Sequence, residues 1–199
     1  MLRRIIILSI SLMTGLFAYG NISSSNISKM EVNITKIELK KADGSYYTMF
    51  EGSSVIDIAS VSVDAVAGAV LEEKVVPDGT YTDVKVTVSN SFTVNACETL
   101  PSTNCTTAQV AGAGVLAGTI NATVSGTAAD VVIIPSGSSI TSESSLSFTV
   151  ENGICSLSNG FSVSFELDNV FGYTANGCNS GATDCIHFNA APTINITAN

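Results

Sequence analysis

Apolar and polar residues alternate along much of this chain, in short runs that are separated by turn-forming residues. The run from Val32 to Leu39 is one example; Asp43-Gly44 follows it, and a second run covers residues 45–50. Alternation with a period of two places the apolar side chains on one face of a β-strand, and Asp-Gly is a favoured hairpin turn. The pattern therefore predicts a β-hairpin at the start of the domain.

The same pattern continues to the end of the chain. It predicts a long strand over residues 81–94 that is interrupted by a bulge at residues 89–91. Further strands are predicted at residues 55–58, 114–124, 129–134, 145–150, 161–170 and 186–197. About eight to ten strands with a turn every 8–12 residues are typical of an antiparallel β-sandwich.

One stretch departs from the period of two. Its apolar positions follow the i, i+3, i+4, i+7 spacing of an amphipathic helix, at Val63, Val66, Ala67, Val70 and Leu71. The expected fold is therefore all-β, a single antiparallel β-sandwich of immunoglobulin-like or prealbumin-like type with at most one short helix. No Pro- or Gly-rich linker divides the chain into two domains.

The first twenty residues have the organisation of a secretory signal peptide. Arg3 and Arg4 precede an apolar run that is shorter than the roughly 20 residues of a membrane-spanning helix. Ala18-Tyr19-Gly20 then supplies small residues for cleavage after Gly20, with Ala18 as the second choice. We expect a signal peptide at residues 1–20, a flexible leader at 21–28 and the β-sandwich at 29–199. A retained membrane anchor is the alternative.

The charge distribution excludes some partners. The chain has a formal charge of −9, and six basic residues against all seventeen acidic ones remain after residue 20, which makes the mature charge −11. Lys85 is the last Lys or Arg in the sequence. Such a surface repels nucleic-acid phosphates and anionic lipids. We therefore expect no nucleic acid as a partner, and no membrane association after signal cleavage.

Five cysteines follow the signal peptide, and export permits them to form disulfides. Cys97 and Cys105 bracket one polar, turn-forming stretch, and Cys178 and Cys185 bracket another. We predict one disulfide within each of these two pairs. Cys155 then remains as a buried free thiol or, as an alternative, the site of an intermolecular bond.

The segment from Lys36 to Val88 contains a hairpin, a short strand and the sequence Val-Pro-Asp-Gly-Thr-Tyr-Thr at residues 76–82. It resembles a family of secreted bacterial domains of unknown function that have a Pro-x-Gly-Thr-Tyr-Thr turn. More distantly, it is similar to the prealbumin-like and collagen-adhesin B-type repeats of surface proteins. The resemblance implies a β-sandwich at a cell surface. It makes Pro77, Gly79 and Tyr81 a structural turn, with Gly79 in the tight backbone position and Tyr81 packed behind it.

Catalytic and metal-binding patterns are weak. His187 is the only histidine, and no Gly-x-Ser-x-Gly motif is present. Cys178, Cys185 and His187 could ligate a metal, but an oxidising compartment favours the disulfide. Glu166 and Asp168 lie on one strand face, as expected for a polar outer surface. We therefore expect no enzyme activity, no cofactor and no metal.

Tyrosines next to amide side chains are candidates for sugar binding, because their rings stack on pyranose faces. Tyr46 and Tyr47 lie on opposite faces of one predicted strand, so one of them should point outward. Tyr173 and Asn176 are expected on a loop beside Cys178. The absence of Trp weakens this hypothesis.

Three functions agree with these observations. The first is a non-catalytic adhesion, structural or binding module that is secreted, periplasmic or on the cell surface, and whose partner is a protein or a glycan. The second is a subunit of an extracellular filament or another homo-oligomer, in which residues 22–39 donate a strand to a neighbour. The third is a carbohydrate-binding module.

In addition, Asn33 lies in a Glu-Val-Asn-Ile-Thr sequence that is suitable for bacterial N-glycosylation.

Overall fold

The structure, a computed structural model, describes residues 19–22, 26–60, 74–98, 104–111, 120–125, 127–135, 139–155, 161–178, 183–190 and 192–198. These residues form antiparallel β-strands and contain no α-helix, which confirms the predicted all-β class. The predicted helical stretch at residues 63–71 lies outside the described residues. The strands are β1 (Tyr19–Asn21), β2 (Ile27–Lys41), β3 (Tyr46–Asp57), β4 (Lys74–Val75), β5 (Gly79–Ser89), β6 (Phe92–Glu98), β7 (Asn104–Ala111), β8 (Ile120–Ser125), β9 (Val131–Ile133), β10 (Ser139–Val150), β11 (Ile154–Cys155), β12 (Phe161–Glu166), β13 (Phe171–Cys178), β14 (Thr183–Phe188) and β15 (Thr193–Ala198).

Strand β2 is the centre of the first sheet. It pairs with β3 on one edge, and with β5 and then β6 on the other. Strands β5 and β6 run in the same direction along β2, and residues 90–91 separate them. They correspond to the single strand that was predicted over residues 81–94, with its bulge at residues 89–91. Beyond them, β10 pairs with β5, and β9 pairs with β6.

A β-bulge in β2 changes which side chains face the core. Before it, Met30, Val32 and Ile34 are buried; after it, the buried positions are Ile37 and Leu39. The register with both neighbouring strands shifts between Ile34 and Lys36. Because side chains alternate with a period of two, one extra residue moves the alternation from even to odd positions. The bulge thereby places the charged residues at 36, 38 and 40 together on the outer face.

The second sheet continues from the end of β6, in the order β7, β8, β14, β13 and β1. Its inner face packs against the first sheet: the rings of Phe92 on β6 and Phe188 on β14 stack with centroids 5.4 Å apart. The separate β12–β15 pair contacts the other end of the core, where Phe148 and Phe161 lie 5.9 Å apart. One hydrophobic cluster connects these layers, so the fold is the predicted antiparallel β-sandwich.

The N-terminal segment belongs to the sheet. Strand β1 pairs with β13, and the Ile22 side chain is buried while its N–H donates to the Phe171 carbonyl at 2.9 Å. Of residues 21–28, which were expected as a flexible leader, the structure places Asn21 in β1 and Ile27 and Ser28 at the start of β2. The reason is that Ile22 and Ile27 supply apolar side chains to the core. A cut after Gly20 retains the contacts of Ile22, and a cut after Ala18 also retains all of β1.

Candidate binding face on the first sheet

The outer surface of the first sheet carries a regular arrangement of charges. We call it the charged face and define it by Lys36, Glu38, Lys40, Tyr46, Asp83, Lys85 and Glu143. Strand pairing aligns unlike groups across the sheet: Lys85 lies opposite both Glu38 and Glu143, and Lys40 lies opposite both Tyr46 and Asp83. Along β2 and β5 the sign of the charge also alternates. Cross-strand neighbours of opposite charge stabilise a sheet.

The charges of this face are joined by ion pairs. Glu38 is the most buried of them and contacts Lys85 at 2.6 Å and Lys36 at 2.7 Å. Burial acts to raise the pKa of Glu38, but the hydrogen bonds from these two lysines outweigh it and lower the pKa. Lys40 lies between the carboxylates of Asp83 and Glu143, at 3.5 and 3.6 Å. These contacts favour the charged forms: the pKa of Lys40 is raised by the nearby Asp83 carboxylate, and the pKa of Asp83 is lowered by hydrogen bonds from Thr82 and Ser145.

Tyr46 is held across the charged face. Lys85 Nζ lies 4.2 Å from the centroid of the Tyr46 ring, which is a cation–π distance. The Tyr46 hydroxyl donates a hydrogen bond to Glu143 Oε1 at 2.5 Å. The hydrogen bond to Glu143 raises the pKa of the Tyr46 phenol, so the phenol remains a donor at neutral pH. Tyr46 still has 39% of its surface exposed. Lys40 Nζ also lies over the ring, 5.8 Å from its centroid.

The other predicted sugar-contacting residues lie elsewhere. Tyr47 packs against the core, with its hydroxyl 3.4 Å from the Val75 carbonyl. Tyr173 is only 4% exposed and lies in β13, so its expected position on a loop is wrong. Asn176 belongs to the same strand of the second sheet. Only Tyr46 lies on the charged face. Alternating basic and acidic residues on β2 and β5 were the sequence signal for that face, but their alignment depends on register.

The first predicted disulfide is present. Cys97 on β6 and Cys105 on β7 lie directly opposite each other and are bonded. Cys185 is buried and is also disulfide-bonded. The Cys178–Cys185 bond and the free thiol at Cys155 stay predictions, which a non-reducing peptide map can check.

Removing the Cys97–Cys105 bond should destabilise the protein. On the chain-entropy model, a loop of this length contributes about 2 kcal/mol to the free energy of unfolding. We expect the double variant Cys97→Ala/Cys105→Ala to lose that amount in urea unfolding followed by circular dichroism. As a control, both proteins are measured again with reductant, where their curves should coincide. Equal stability of the two oxidised proteins would contradict the prediction.

The turn at residues 77–81 is fixed by hydrogen bonds. The Tyr81 hydroxyl donates to the Pro77 carbonyl at 2.8 Å, and its ring is buried and stacks on Phe148. Gly79 has φ of +148°, which L side chains rarely adopt. Asp78 accepts a hydrogen bond from the Gly153 N–H and so connects the turn to the β10–β11 turn. A tyrosine hydroxyl that returns to the backbone a few residues upstream also occurs in immunoglobulin-like sandwiches, as the tyrosine corner.

His187 lies within the second sheet and is only 4% exposed. Its imidazole lies against Gly172 on β13, the residue directly opposite it. Burial holds the pKa of His187 below its ordinary value, although a hydrogen bond with the Asn189 side chain acts in the opposite direction. Within the described parts of the chain, no three His, Cys, Asp or Glu side chains are grouped to hold a metal ion.

The low pKa of His187 should make stability depend on pH. The ordinary pKa of histidine is 6.5, and the pKa of His187 in the folded protein is lower. Just below pH 6.5 the unfolded chain therefore binds a proton at His187 that the folded protein does not bind, so the free energy of unfolding falls as the pH falls below 6.5. We expect the urea midpoint of the wild type to drop between pH 7.5 and 5.5 relative to that of His187→Gln, which cannot titrate. The carboxylates of Asp83 and Asp130, whose pKa values are lowered by hydrogen bonds, act only at more acidic pH. Parallel pH profiles of the two proteins would contradict this expectation.

Asn33 lies within β2, and its side-chain carbonyl accepts a hydrogen bond from the Ser53 hydroxyl at 3.0 Å. Glycosylation at Asn33 remains a prediction.

No helix among the residues that the structure describes has the length and apolarity to cross a membrane.

Fold and site together define an antiparallel β-sandwich with a disulfide-bonded hairpin and a charged, aromatic-bearing outer face. No family model, curated protein or solved structure matches the chain.

Proposed function

We propose that this protein is an exported, non-catalytic binding module that attaches to a component of a cell surface through its charged face. The single observation that carries the proposal is the Tyr46 ring, which is exposed and yet fixed by Lys85 and Glu143. An aromatic ring that is already ordered loses little conformational entropy on binding. Tyrosine in addition combines a large apolar area with a polar tip.

Export is supported by two independent features. The first twenty residues have the organisation of a signal peptide, and disulfides such as Cys97–Cys105 persist mainly outside the cytosol. The resemblance of residues 36–88 to secreted domains agrees with this compartment. N-terminal sequencing of the exported protein should give Asn21, or Tyr19 if the second cleavage position is used. A mature protein that begins at Met1 would contradict export by cleavage.

A non-catalytic role is supported by the position of His187. A general base must reach the proton that it removes from a substrate. His187 is buried, and its imidazole packs on the backbone of Gly172. The acidic groups of the charged face are engaged by lysines at salt-bridge distance, an arrangement suited to recognition.

The binding function can be tested with washed cells of the producing species. We expect purified mature protein to sediment with the cells, and Tyr46→Ala to sediment at least fivefold less. Val55→Ala is the matched control, because Val55 lies on the same strand, is 61% exposed and is not part of the charged face. Equal sedimentation of Tyr46→Ala and wild type, or no sedimentation of either, would refute the proposal.

A second candidate is a subunit of a filament that assembles by strand exchange. It is favoured by one observation: β1 is a three-residue strand that pairs with β13, and a cut after Ala18 retains this strand in full. Exchange of such an N-terminal strand between neighbours would preserve the same pairing in every subunit. Negative-stain imaging and gel filtration of the mature protein test this function. A monomer at all concentrations would exclude it.

A further inference from the structure

We propose that the ligand of the charged face is a neutral glycan, with one pyranose ring stacked on the exposed part of the Tyr46 ring. This inference rests on the proposed function and identifies the chemical class of its partner. A pyranose presents a patch of C–H groups on one face and hydroxyls around its edge. The site likewise presents one apolar ring surrounded by polar groups.

The charged face suits hydroxyls better than it suits a protein surface. A protein partner would exclude water from six Lys, Asp and Glu side chains, and desolvation of ion pairs offsets much of their mutual attraction. Charged residues are accordingly depleted from the centres of protein interfaces. A single sugar ring covers only the aromatic platform and leaves most of these charges in water.

The polar groups next to Tyr46 can recognise a sugar edge. Glu143 already accepts from the Tyr46 hydroxyl through Oε1, and a carboxylate has further lone pairs for a second donor. Lys40 Nζ lies 5.8 Å from the centroid of the ring and can donate to a sugar oxygen. Glu143 thus supplies acceptors at the edge of the ring, and Lys40 supplies a donor.

Charge favours a neutral glycan over an acidic one. Three carboxylates lie on the charged face, and the chain has a formal charge of −9. The three lysines of the face are paired with those carboxylates, which leaves little positive potential to attract an anion. A polymer of uronic acids would therefore be repelled at low ionic strength, where long-range electrostatic interactions are strongest.

Affinity electrophoresis tests this proposal with purified probes. Mature protein is run through gels that contain a soluble neutral β-glucan, a galactomannan or a xyloglucan, and through gels that contain polygalacturonate. We expect at least one neutral polymer to retard the wild type and Val55→Ala, with at least a tenfold weaker effect on Tyr46→Ala. Tyr46→Phe retains the ring but loses the bond to Glu143, so its loss should be smaller. Tyr46→Leu is apolar without a ring and should behave like Tyr46→Ala.

The outcomes separate this inference from the proposed function. Retardation by polygalacturonate alone, by none of the neutral polymers, or equally for wild type and Tyr46→Ala would overturn the glycan assignment. Cell sedimentation adds a second measurement, because periodate destroys sugar diols and protease removes surface proteins. Loss of Tyr46-dependent sedimentation after periodate supports the glycan. Loss only after protease would overturn the glycan and leave the binding function intact.

Discussion

Replacing Tyr81 with alanine is expected to lower the free energy of unfolding by about 3–5 kcal/mol, the usual range for removal of a large buried aromatic side chain. Tyr81 is almost fully buried, and its ring lies 5.6 Å from that of Phe148. The substitution leaves a cavity between β5 and β10 and also removes the hydrogen bond to Pro77. Urea unfolding followed by far-ultraviolet circular dichroism measures the effect.

Tyr81→Phe separates packing from hydrogen bonding. It retains the ring and removes only the hydroxyl, so we expect a loss of about 1 kcal/mol, typical of one hydrogen bond. If Tyr81→Ala were no more harmful than Tyr81→Phe, the ring would not support the core, and this account of the turn would be wrong.

Gly172→Ala should destabilise the protein by about 2–3 kcal/mol, because the added methyl group overpacks a buried site. Its Cβ would lie 2.5 Å from His187 Nε2 and 2.8 Å from Asn189 Nδ2. Both side chains are hydrogen-bonded to each other, so neither can move without loss. Thermal unfolding and urea titration of the purified variant measure this effect.

Gly52→Ala is the matched control for Gly172→Ala. Gly52 also lies in a strand, but its added Cβ would meet only the Phe50 ring, at an ordinary 3.5 Å. We expect a change within about 0.5 kcal/mol, as for most exposed substitutions. In the Gly172→Ala background, His187→Ala should be less harmful than in the wild type, because it removes the clash. Simple additivity of the two substitutions would argue against the contact.

Local patterns predicted the fold class and the positions of several strands. Alternation identified the β2–β3 hairpin and the interrupted path through β5 and β6, because each requires only neighbouring residues. The Cys97–Cys105 pair was predictable for the same reason, since the two cysteines flank one turn. These features depend on short-range geometry, which a period of two describes well.

The features that were missed depend on long-range pairing. Tyr173 was expected on a loop because Gly172 and Asn176 lie beside it, whereas pairing with β1 and β14 makes the segment a strand. The β2 bulge was also hidden, since a strand without it would have the same composition. It decides that the strand face with Lys36, Glu38 and Lys40 points outward and not into the core, and so the charged face could not be assembled from sequence. Its proposed role remains for binding experiments to test.

Strand β6 belongs to both sheets, and this has a consequence for how the domain can evolve. Its first residues pair with β2 and β9, and its last two, Cys97 and Glu98, pair with β7. Neither sheet can be replaced by the equivalent sheet of another protein without affecting the other sheet, because the part of β6 that paired with the replaced strands would lose its backbone hydrogen bonds. Recombination between related chains should therefore succeed at the loops and fail within residues 92–98.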